Sequence, residues 1–247
     1  MSKKELSQII ILLIGILLIV LSFIIKRNTD DNSITVNTVL LSIGCSIISV
    51  VIINYFDYLI TLTERKTIIN VNKWGLTTIY ETRQKMNDDT NKLLELAKEL
   101  DLSVMGAKGL INYRGKILKE RLKQGMIMRI LIPVKDSAFI KQREIDEEAT
   151  SGDITKSIND LCYWLSSVKK ELNLSENSLM VKQYKSLPLE SMMRIDKDMF
   201  VGPFMVKKLS QLTMAYHYHQ GGKGYDDYKE YFNSIWDDNT ISDFINL

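Results

Sequence analysis

The feature that most constrains this chain is a pair of long apolar segments near its N-terminus. The first covers residues 9–25, IIILLIGILLIVLSFII, and its only hydroxyl belongs to Ser22. Eight polar residues, 26–33, separate it from a second apolar segment over residues 36–62. A helix needs about 20 apolar residues to cross the core of a bilayer, so each segment is long enough to span it. The sequence therefore predicts a two-helix transmembrane hairpin at residues 1–62, followed by a soluble part.

The second apolar segment is more polar than the first. Small and hydroxylated residues fall within about a third of its helical circumference: Thr38, Ser42, Cys45, Ser46 and Ser49. Such residues either allow close helix packing or line a pore, and both interpretations stay open. In the second case the pore-lining residues are Thr38, Ser42, Ser46 and Ser49. Two spans enclose a water path only when several chains assemble, and a tetramer is the favoured homo-oligomer.

The charges that flank the apolar segments predict their orientation. Two lysines precede the first segment and three basic residues closely follow the second. The connecting residues combine Lys26 and Arg27 with Asp30 and Asp31. The positive-inside rule then places both termini and the soluble part in the cytoplasm, on a multi-pass protein of the inner membrane. A cleaved signal peptide is the alternative for the first segment, but no A-x-A-like site follows it and a second span comes at once.

Composition limits the classes of function that the soluble part can have. The formal net charge of the 247-residue chain is +2, which argues against a general DNA-coating protein but leaves room for a local basic pocket. The residues after the hairpin suffice for one domain with an ordinary core. The two cysteines, Cys45 and Cys162, cannot form a disulfide framework, as expected for a domain in a reducing cytosol.

The soluble part combines helical and strand patterns. Residues 63–100 are predicted to form a stiff helical connector, interrupted near residues 70–75. From residue 101 onward, helix and strand patterns alternate. Strands are predicted at 102–107, 126–134, 178–185, 191–195, 199–204 and 211–217, and helices at 115–124, 154–172 and 225–236. This order predicts one α/β domain with a mixed sheet over residues 101–247.

The order of these elements, together with the run DKDMFVGPF, resembles one half of the phospholipase D superfamily. In active members a strand carries H-x-K-x-x-x-x-D and leads to a Gly-Ser or Gly-Thr. Here Asp196 and Gly202 stand at the Asp and Gly positions. Leu189 stands at the His position, Ser191 at the Lys position and Pro203 at the hydroxyl position.

Two further stretches, GLTTIYETR at 75–83 and DLSVMG at 101–106, resemble segments of degenerate, non-catalytic phospholipase-D-like domains of bacteria. The residues at the family's catalytic positions agree with such a degenerate domain. Leu189 has no lone pair with which to attack phosphorus. Ser191 cannot supply the positive charge that stabilises a phosphoryl transition state. The resemblance therefore implies a domain that is not an enzyme.

A two-span protein with such a domain resembles the membrane effectors of bacterial anti-phage nucleotide-signalling systems of the CBASS and Hailong type. The resemblance implies an oligomeric ion channel or membrane-permeabilising protein. Its signal would be a nucleotide or short oligonucleotide made by a partner nucleotidyltransferase. Two alternatives remain open: a membrane-anchored phosphodiesterase or lipase that uses His217 or His219 in place of the missing histidine, and a non-catalytic membrane scaffold.

The candidate ligand-binding cations lie near the predicted ends of strands. Lys108 and Lys135 follow the first and second predicted strands, Arg194 belongs to the predicted hairpin, and Arg83 lies in the lead-in stretch. Cationic side chains at the C-terminal ends of strands can pair with phosphate groups, and arginine does so in bidentate fashion. The alternative for each of them is a solvated surface charge.

The run Tyr216-His217-Tyr218-His219 adds aromatic candidates. The rings of Tyr216 and His217 could stack on nucleobases. The two histidines, at positions i and i+2, could share a metal ion, but no third ligand with suitable spacing accompanies them. The sequence therefore predicts neither a metal site nor a cofactor.

Overall fold

The computed structural model describes residues 3–28, 34–106, 108–135 and 137–247. The chain divides into two compact units, Met1–Ile69 and Asn70–Leu247. Both predicted apolar segments are helical. They lie in α1 (Lys3–Asn28) and α2 (Ile34–Trp74). By length and composition, Leu6–Ile25 and Val36–Leu62 are candidate membrane spans. Most of their apolar surface is exposed, as expected for helices that face lipid or other chains rather than a soluble core. The side chains of Lys26 and Arg27 and residues 29–33, which bear on the predicted orientation, lie outside the described residues.

In the first unit, two glycines bring α1 and α2 into close contact. A Cβ on Gly44 would lie 2.7 Å from Cγ1 of Ile19 and 2.9 Å from the carbonyl oxygen of Gly15. Near the connecting residues, the Ser22 hydroxyl donates to the backbone carbonyl of Asn37 at 3.2 Å. Small residues that let helix backbones approach are typical of helix pairs in membranes. The α1–α2 contact is therefore built on glycine.

The second unit is an α/β domain with an eight-stranded mixed sheet, which confirms the predicted fold class. The strands are β1 (Leu76–Tyr80), β2 (Glu99–Ser103), β3 (Ile127–Pro133), β4 (Leu179–Tyr184), β5 (Glu190–Ile195), β6 (Asp198–Pro203), β7 (Ala215–His219) and β8 (Ser242–Phe244). The helices are α3 (Asn87–Leu94), α4 (Lys108–Lys123), α5 (Ala138–Asp146), α6 (Asp153–Glu171) and α7 (Lys223–Asp237). The sheet order is β1-β7-β6-β5-β2-β3-β4-β8, in which β3 runs parallel to β2 and β4 and the other pairs are antiparallel.

Helices cover both faces of the sheet. The front face packs against α3, α4 and α6 through a large apolar core that includes Leu94, Leu118 and Leu161. The back face packs against α7 through a smaller cluster that includes Phe232 and Trp236. Side chains alternate between the two faces along each strand. A strand residue therefore contacts either the helices of the front face or α7 on the back face.

The structure corrects the predicted boundaries of the soluble part. Residues 63–100 do not form a helical connector, because α2 ends at Trp74 and Leu76–Tyr80 is β1, which pairs with β7. The β-branched and aromatic run LTTIY favours a strand once a partner is available. The second unit accordingly begins at Asn70 and not at residue 101. The strand β1, the helix α5 and the short strand β8 were not predicted.

The end of α2 is held in the second unit by a tight backbone contact, here called the α2 junction. Gly75, with φ of +66°, follows Trp74, and its carbonyl accepts a hydrogen bond from the N–H of His219 at 2.9 Å. A Cβ on Gly222 would lie 2.3 Å from the Cα of Gly75. The ammonium of Lys223 lies 5.2 Å from the centre of the Trp74 ring. Glycine is required at both positions, since one needs a positive φ and the other a close backbone approach.

Candidate ligand-binding cavity

A cavity of about 690 Å³ lies on the front face of the sheet, at the C-terminal end of β2. Its floor includes Leu102, Met193 and Phe200 from three neighbouring strands. Residues of α3, the first turns of α4 and α6, and the segment 209–211 line its walls. Ser191 and Gly202, at two positions of the degenerate motif, also line it. The end of the central strands is where ligands bind in many α/β folds, and it is where the sequence predicts the pocket.

Positive charge exceeds negative charge around the cavity. The cationic lining residues are Arg83, Lys108, Arg114 and Arg143, and the acidic ones are Glu147 and Asp153. Four cations against two carboxylates give a formal net charge of +2. Low-dielectric walls strengthen the field of such groups. The cavity is therefore suited to an anion.

Arg114, on α4, is the most unusual of these cations, because its side chain is buried without a carboxylate partner among the groups it contacts. Its relative exposure is 7%. Its guanidinium donates to Oδ1 of Asn91 at 2.9 Å, Oδ1 of Asn87 at 2.7 Å, Oγ1 of Thr90 at 2.6 Å and Sδ of Met193 at 3.4 Å. All four partners are neutral, and burial lowers the pKa of Arg114. A buried charge that only neutral groups solvate is costly, and an anionic ligand would offset that cost.

Arg83 enters the cavity from the segment after β1. It donates through Nη2 to the carbonyls of Gly202 and Pro203, at 2.5 and 2.9 Å. A Cβ at position 202 would lie 2.5 Å from Nε of Arg83, so the glycine of the degenerate motif makes room for this arginine. Burial, and then the nearby charge of Arg143, lower the pKa of Arg83 to about 10. The Nε atoms of both arginines are buried without a hydrogen-bond partner among the described residues, and both guanidiniums lie over the ring of Phe204, at 5.3 and 5.1 Å.

Two of the six predicted ligand-binding residues, Arg83 and Lys108, line this cavity, and Arg114 and Arg143 were missed. Arg114 and Arg143 lie on helices, whereas the predicted cations follow or belong to strands. A signal for Arg114 was present, because it stands at four-residue intervals between Leu110, Leu118 and Leu122. That spacing puts an arginine on the core-facing side of α4. Leu118 and Leu122 are indeed buried.

Arg194 does not belong to the cavity. It lies on the back face with a relative exposure of 5%, and its Nε donates to Oδ2 of Asp101 at 2.6 Å while Nη1 donates to Oε2 of Glu99 at 2.9 Å. Burial alone would lower the pKa of Arg194, but the hydrogen bond and charge of Asp101 raise it overall. The prediction that Arg194 binds ligand is therefore corrected: the carboxylates of β2 already neutralise it. Lys135, in the turn after β3, is half-buried and is not among the cavity residues.

Tyr216 and His217 also lie outside the cavity. Tyr216 faces the back of the sheet, where its hydroxyl contacts Sδ of Met214 at 2.9 Å. His217 faces the front but stacks on Phe200, with ring centres 4.3 Å apart. Its Nε2 and Nδ1 of His219 lie 2.8 and 2.9 Å from the same oxygen of Asp198.

His217 lines a second, shallower cavity of about 340 Å³ that shares no lining residue with the first. His217 is therefore separated from Ser191 and Gly202, which line the first cavity. A phosphodiesterase or lipase that used His217 as its nucleophile would need these residues in one site. Asp196 is separated as well: it follows the C-terminal end of β5, and its carboxylate accepts hydrogen bonds from the N–H groups of Lys98 and Glu99. Among the described residues, no group of three His, Cys, Asp or Glu side chains could hold a metal ion.

Two members of the hydroxyl stripe of α2, Ser42 and Ser46, lie on the side of the helix away from Gly44. Ser42 and Ser46 each stand two positions from Gly44, which places them about 160° away around the helix. Thr38, Ser42, Ser46 and Ser49 are all exposed within the chain. The hydroxyls of Ser46 and Ser49 donate to the backbone carbonyls of Ser42 and Cys45, each at 2.8 Å. The glycine contact with α1 therefore does not explain Ser42 and Ser46.

Comparison with solved structures finds folds that are similar to this chain at low sequence identity. TrmBL2, an archaeal chromatin protein whose structure shows a novel mode of DNA binding, is 14% identical with a TM-score of 0.40, over 78% of this chain and 69% of its own. The phosphatidylserine synthase of Haemophilus influenzae Rd KW20 is 8% identical with a TM-score of 0.46, over 72% of this chain and 42% of its own. NucT from Helicobacter pylori is 11% identical with a TM-score of 0.38, over 63% of this chain and 89% of its own.

The last two of these proteins belong to the phospholipase-D-like superfamily. The chain spans less than half the length of the synthase. No protein-family model and no curated protein sequence matches the chain.

Proposed function

We propose that the chain is a non-enzymatic membrane effector whose second unit binds a nucleotide or short oligonucleotide through its phosphates. The observation that carries the proposal is the cationic cavity with Arg114 at its wall. A pocket of this size is in the range that holds small-molecule ligands. Guanidinium groups recognise phosphate with strong charge-assisted hydrogen bonds. Arg83 and Arg143 bring two more guanidinium groups to the lining of the same cavity.

The absence of an enzymatic role is part of the proposal. Ser191 and Gly202 line the cavity where members of the phospholipase D superfamily would place a lysine and a glycine, and Ser191 cannot supply the positive charge of that lysine. Leu189, at the position of the nucleophile, is exposed. The histidine–aspartate pair of His217 and Asp198 lies in the other cavity. A domain with this arrangement serves binding better than hydrolysis.

The output of the proposed effector is a change in membrane permeability. The exposed stripe of Thr38, Ser42, Ser46 and Ser49 would line a pore when several chains, with a tetramer favoured, assemble in the inner membrane. Within the second unit, the α2 junction ties the end of α2 to the sheet, because Gly75 is hydrogen-bonded to β7 and packed on Gly222. Ligand can bias the pore only through a difference in affinity between its states.

A role in anti-phage defence extends the proposal. There, a partner nucleotidyltransferase would make the signal that occupies the cavity, and the second unit would face the cytoplasm.

Ion flux from liposomes that contain the full-length chain tests the proposal. The probes are ATP, GTP, short single-stranded DNA oligomers and inorganic pyrophosphate, with binding measured in parallel. We expect a probe that changes flux to lose binding in the Arg83→Glu/Arg114→Met double variant. The exposed Lys170→Met serves as the matched control. Ser42→Leu/Ser46→Leu should abolish flux and leave binding intact. No flux in any ligand state would refute the channel, and unchanged binding by the double variant would refute the site.

A further inference from the structure

Two asparagines of α3 stand beside Arg114 in the wall of the cavity. Asn87 and Asn91 are four residues apart, so they lie on the same face of the helix. Both are half-buried and line the cavity, and their side-chain oxygens accept from the guanidinium of Arg114 at 2.7 and 2.9 Å. A guanidinium only donates, so it pairs with the oxygen of an amide and not with the nitrogen. Arg114 therefore fixes the orientation of both amides.

The amide nitrogens of Asn87 and Asn91 keep their donors free. The described part of the chain gives neither Nδ2 atom a hydrogen-bond acceptor. Neither of them is a buried atom, because the buried side-chain nitrogens without a partner are the Nε atoms of Arg83 and Arg143. Each Nδ2 carries two donors, and both atoms are therefore open to solvent at the wall of the cavity.

The remaining polar atoms around Arg114 offer the cavity no strong acceptor. Thr90 is fully buried between the two asparagines; its hydroxyl accepts from Nη2 of Arg114 at 2.6 Å and donates to the carbonyl of Met86 at 3.0 Å. Among the described residues, Nη1 of Arg114 has no oxygen acceptor and meets only Sδ of Met193 at 3.4 Å. A thioether sulfur is a weak acceptor. This part of the wall therefore presents donors.

The nearby carboxylates do not supply the missing acceptor. Asp88 and Asp89 adjoin the asparagines in sequence but do not line the cavity, and Asp89 accepts from the hydroxyl of Tyr80 at 2.7 Å. Glu147 and Asp153 do line the cavity, at the end of α5 and the start of α6. In the described part of the chain, neither accepts a hydrogen bond from Arg114 or from the two amides.

A wall that presents only donors suits a group whose atoms only accept. The oxygens of an ionised phosphate are such acceptors, and they carry the negative charge that the buried guanidinium lacks. Building on the proposed function, we propose that Nδ2 of Asn87 and Nδ2 of Asn91, with Nη1 of Arg114, bind a phosphate group of the ligand. These three donors are here called the amide cradle. Arg114 has two roles in it, since its charge attracts the anion and its other donors hold both amides with their N–H groups outward.

Exchanging each amide for a carboxylate tests the amide cradle, because the two groups have the same shape and opposite hydrogen-bonding character. Asn87→Asp and Asn91→Asp each remove two donors and give Arg114 a carboxylate partner. Calorimetric titration of the full-length protein in detergent, with ATP and with inorganic pyrophosphate, measures binding. One hydrogen bond to a charged group corresponds to about a 10- to 150-fold change in affinity, so each variant should bind both probes at least about tenfold more weakly.

The same variants should keep their fold, because a carboxylate beside Arg114 supplies the charge that its neutral partners lack. We expect the Tm of the free protein to rise by about 2–4 °C in each variant. Asn87 is the first residue of α3, where an aspartate is also favoured by the helix dipole. A lower Tm in both variants would show that Arg114 gains nothing from an anion beside it, and the proposal would fail.

Asn233→Asp is the matched control. Asn233 lies on α7, outside the cavity, and its Oδ1 accepts from Nη2 of Arg129 at 3.2 Å. The exchange therefore adds the same charge beside an arginine of the back face. Both probes should bind this variant as tightly as they bind the unmodified protein. An equal loss of binding in Asn233→Asp would show an effect of net charge and would overturn the amide cradle.

The remaining outcomes separate the amide cradle from the proposed function. If either Asn87→Asp or Asn91→Asp bound both probes normally while Arg114→Met bound them weakly, the cradle would be wrong and the phosphate-binding cavity would stand. Loss of ATP binding alone, with pyrophosphate bound normally, would show that the amides contact the base and not the phosphates, which also overturns the cradle. If the unmodified protein bound neither probe, the cradle and the proposed function would both fail.

Discussion

Replacing Arg114 by methionine removes the buried charge from the cavity and keeps much of the apolar stem of the side chain. Two effects oppose each other in the free protein. The variant loses the three hydrogen bonds that Arg114 donates to oxygen atoms of Asn87, Thr90 and Asn91, and at about 1.5–3 kcal/mol for each bond from a charged group these contribute roughly 5 kcal/mol or more. It also removes a cation whose burial without a carboxylate costs several kcal/mol. We expect the free energy of unfolding of the free protein to change by no more than about 2 kcal/mol.

The ligand-bound protein should respond more strongly. Hydrogen bonds from a charged group contribute about 1.5–3 kcal/mol, and a loss of about 2 kcal/mol weakens binding about thirtyfold. At a ligand concentration of 100 times the Kd of the unchanged protein, binding adds about 2.7 kcal/mol to the free energy of unfolding. The same concentration is only about three times the Kd of the Arg114→Met variant, and it then adds about 0.9 kcal/mol.

Thermal unfolding of the full-length protein in detergent, with and without a probe that binds, measures both quantities. Lys170→Met, which removes an exposed lysine of α6, is the control and should retain the full ligand-induced shift in Tm. If Arg114→Met retained that shift, Arg114 would not contact the ligand. If the free variant lost more than about 4 kcal/mol, the neutral partners of Arg114 would have to solvate its charge well, and the case for a missing anion would fail.

Three further substitutions separate the roles of other residues. Arg194→Met leaves Asp101 with only one of its two arginine partners, so we expect a loss of about 3 kcal/mol in the free energy of unfolding with the ligand-induced shift in Tm unchanged. Gly222→Ala places a Cβ 2.3 Å from the Cα of Gly75; ligand-dependent flux should fall while binding persists, and amide exchange near the junction should accelerate. Gly44→Val should separate α1 from α2, seen as weaker disulfide crosslinking between cysteines introduced on the two helices, and unchanged crosslinking would contradict a glycine-mediated contact.

The sequence predicted much of the fold because the signals for these elements are local. The long apolar segments, the stop at Gly125 with φ of +93°, and the hairpin of β5 and β6 each follow from residues within one element or turn. β1 was missed, because its run LTTIY becomes a strand only by pairing with β7, which lies more than 130 residues away in the chain. A short strand of this kind carries too little local information to be distinguished from a frayed helix end.

The candidate site was only partly predictable for the same physical reason. Arg83 and Lys108 were found because their places beside predicted strands follow from local sequence. Arg194 looked equally suitable, but its face of the sheet and its partner Asp101, 93 residues earlier, depend on the register of β5 against β2. Arg114 stands at a core-facing position of α4, where its helical spacing alone does not distinguish a ligand-binding group from a buried structural arginine.

The pairing of β1 with β7 has a practical consequence for producing the second unit by itself. A fragment that begins at residue 101 would lack β1 and would leave β7, with its run of two tyrosines and two histidines, as a bare edge strand. Unpaired edge strands recruit other chains, so such a fragment should aggregate on expression. A fragment that begins at Asn70 keeps β7 paired with β1 and retains the glycine contact between positions 75 and 222. We expect this fragment to be soluble on expression.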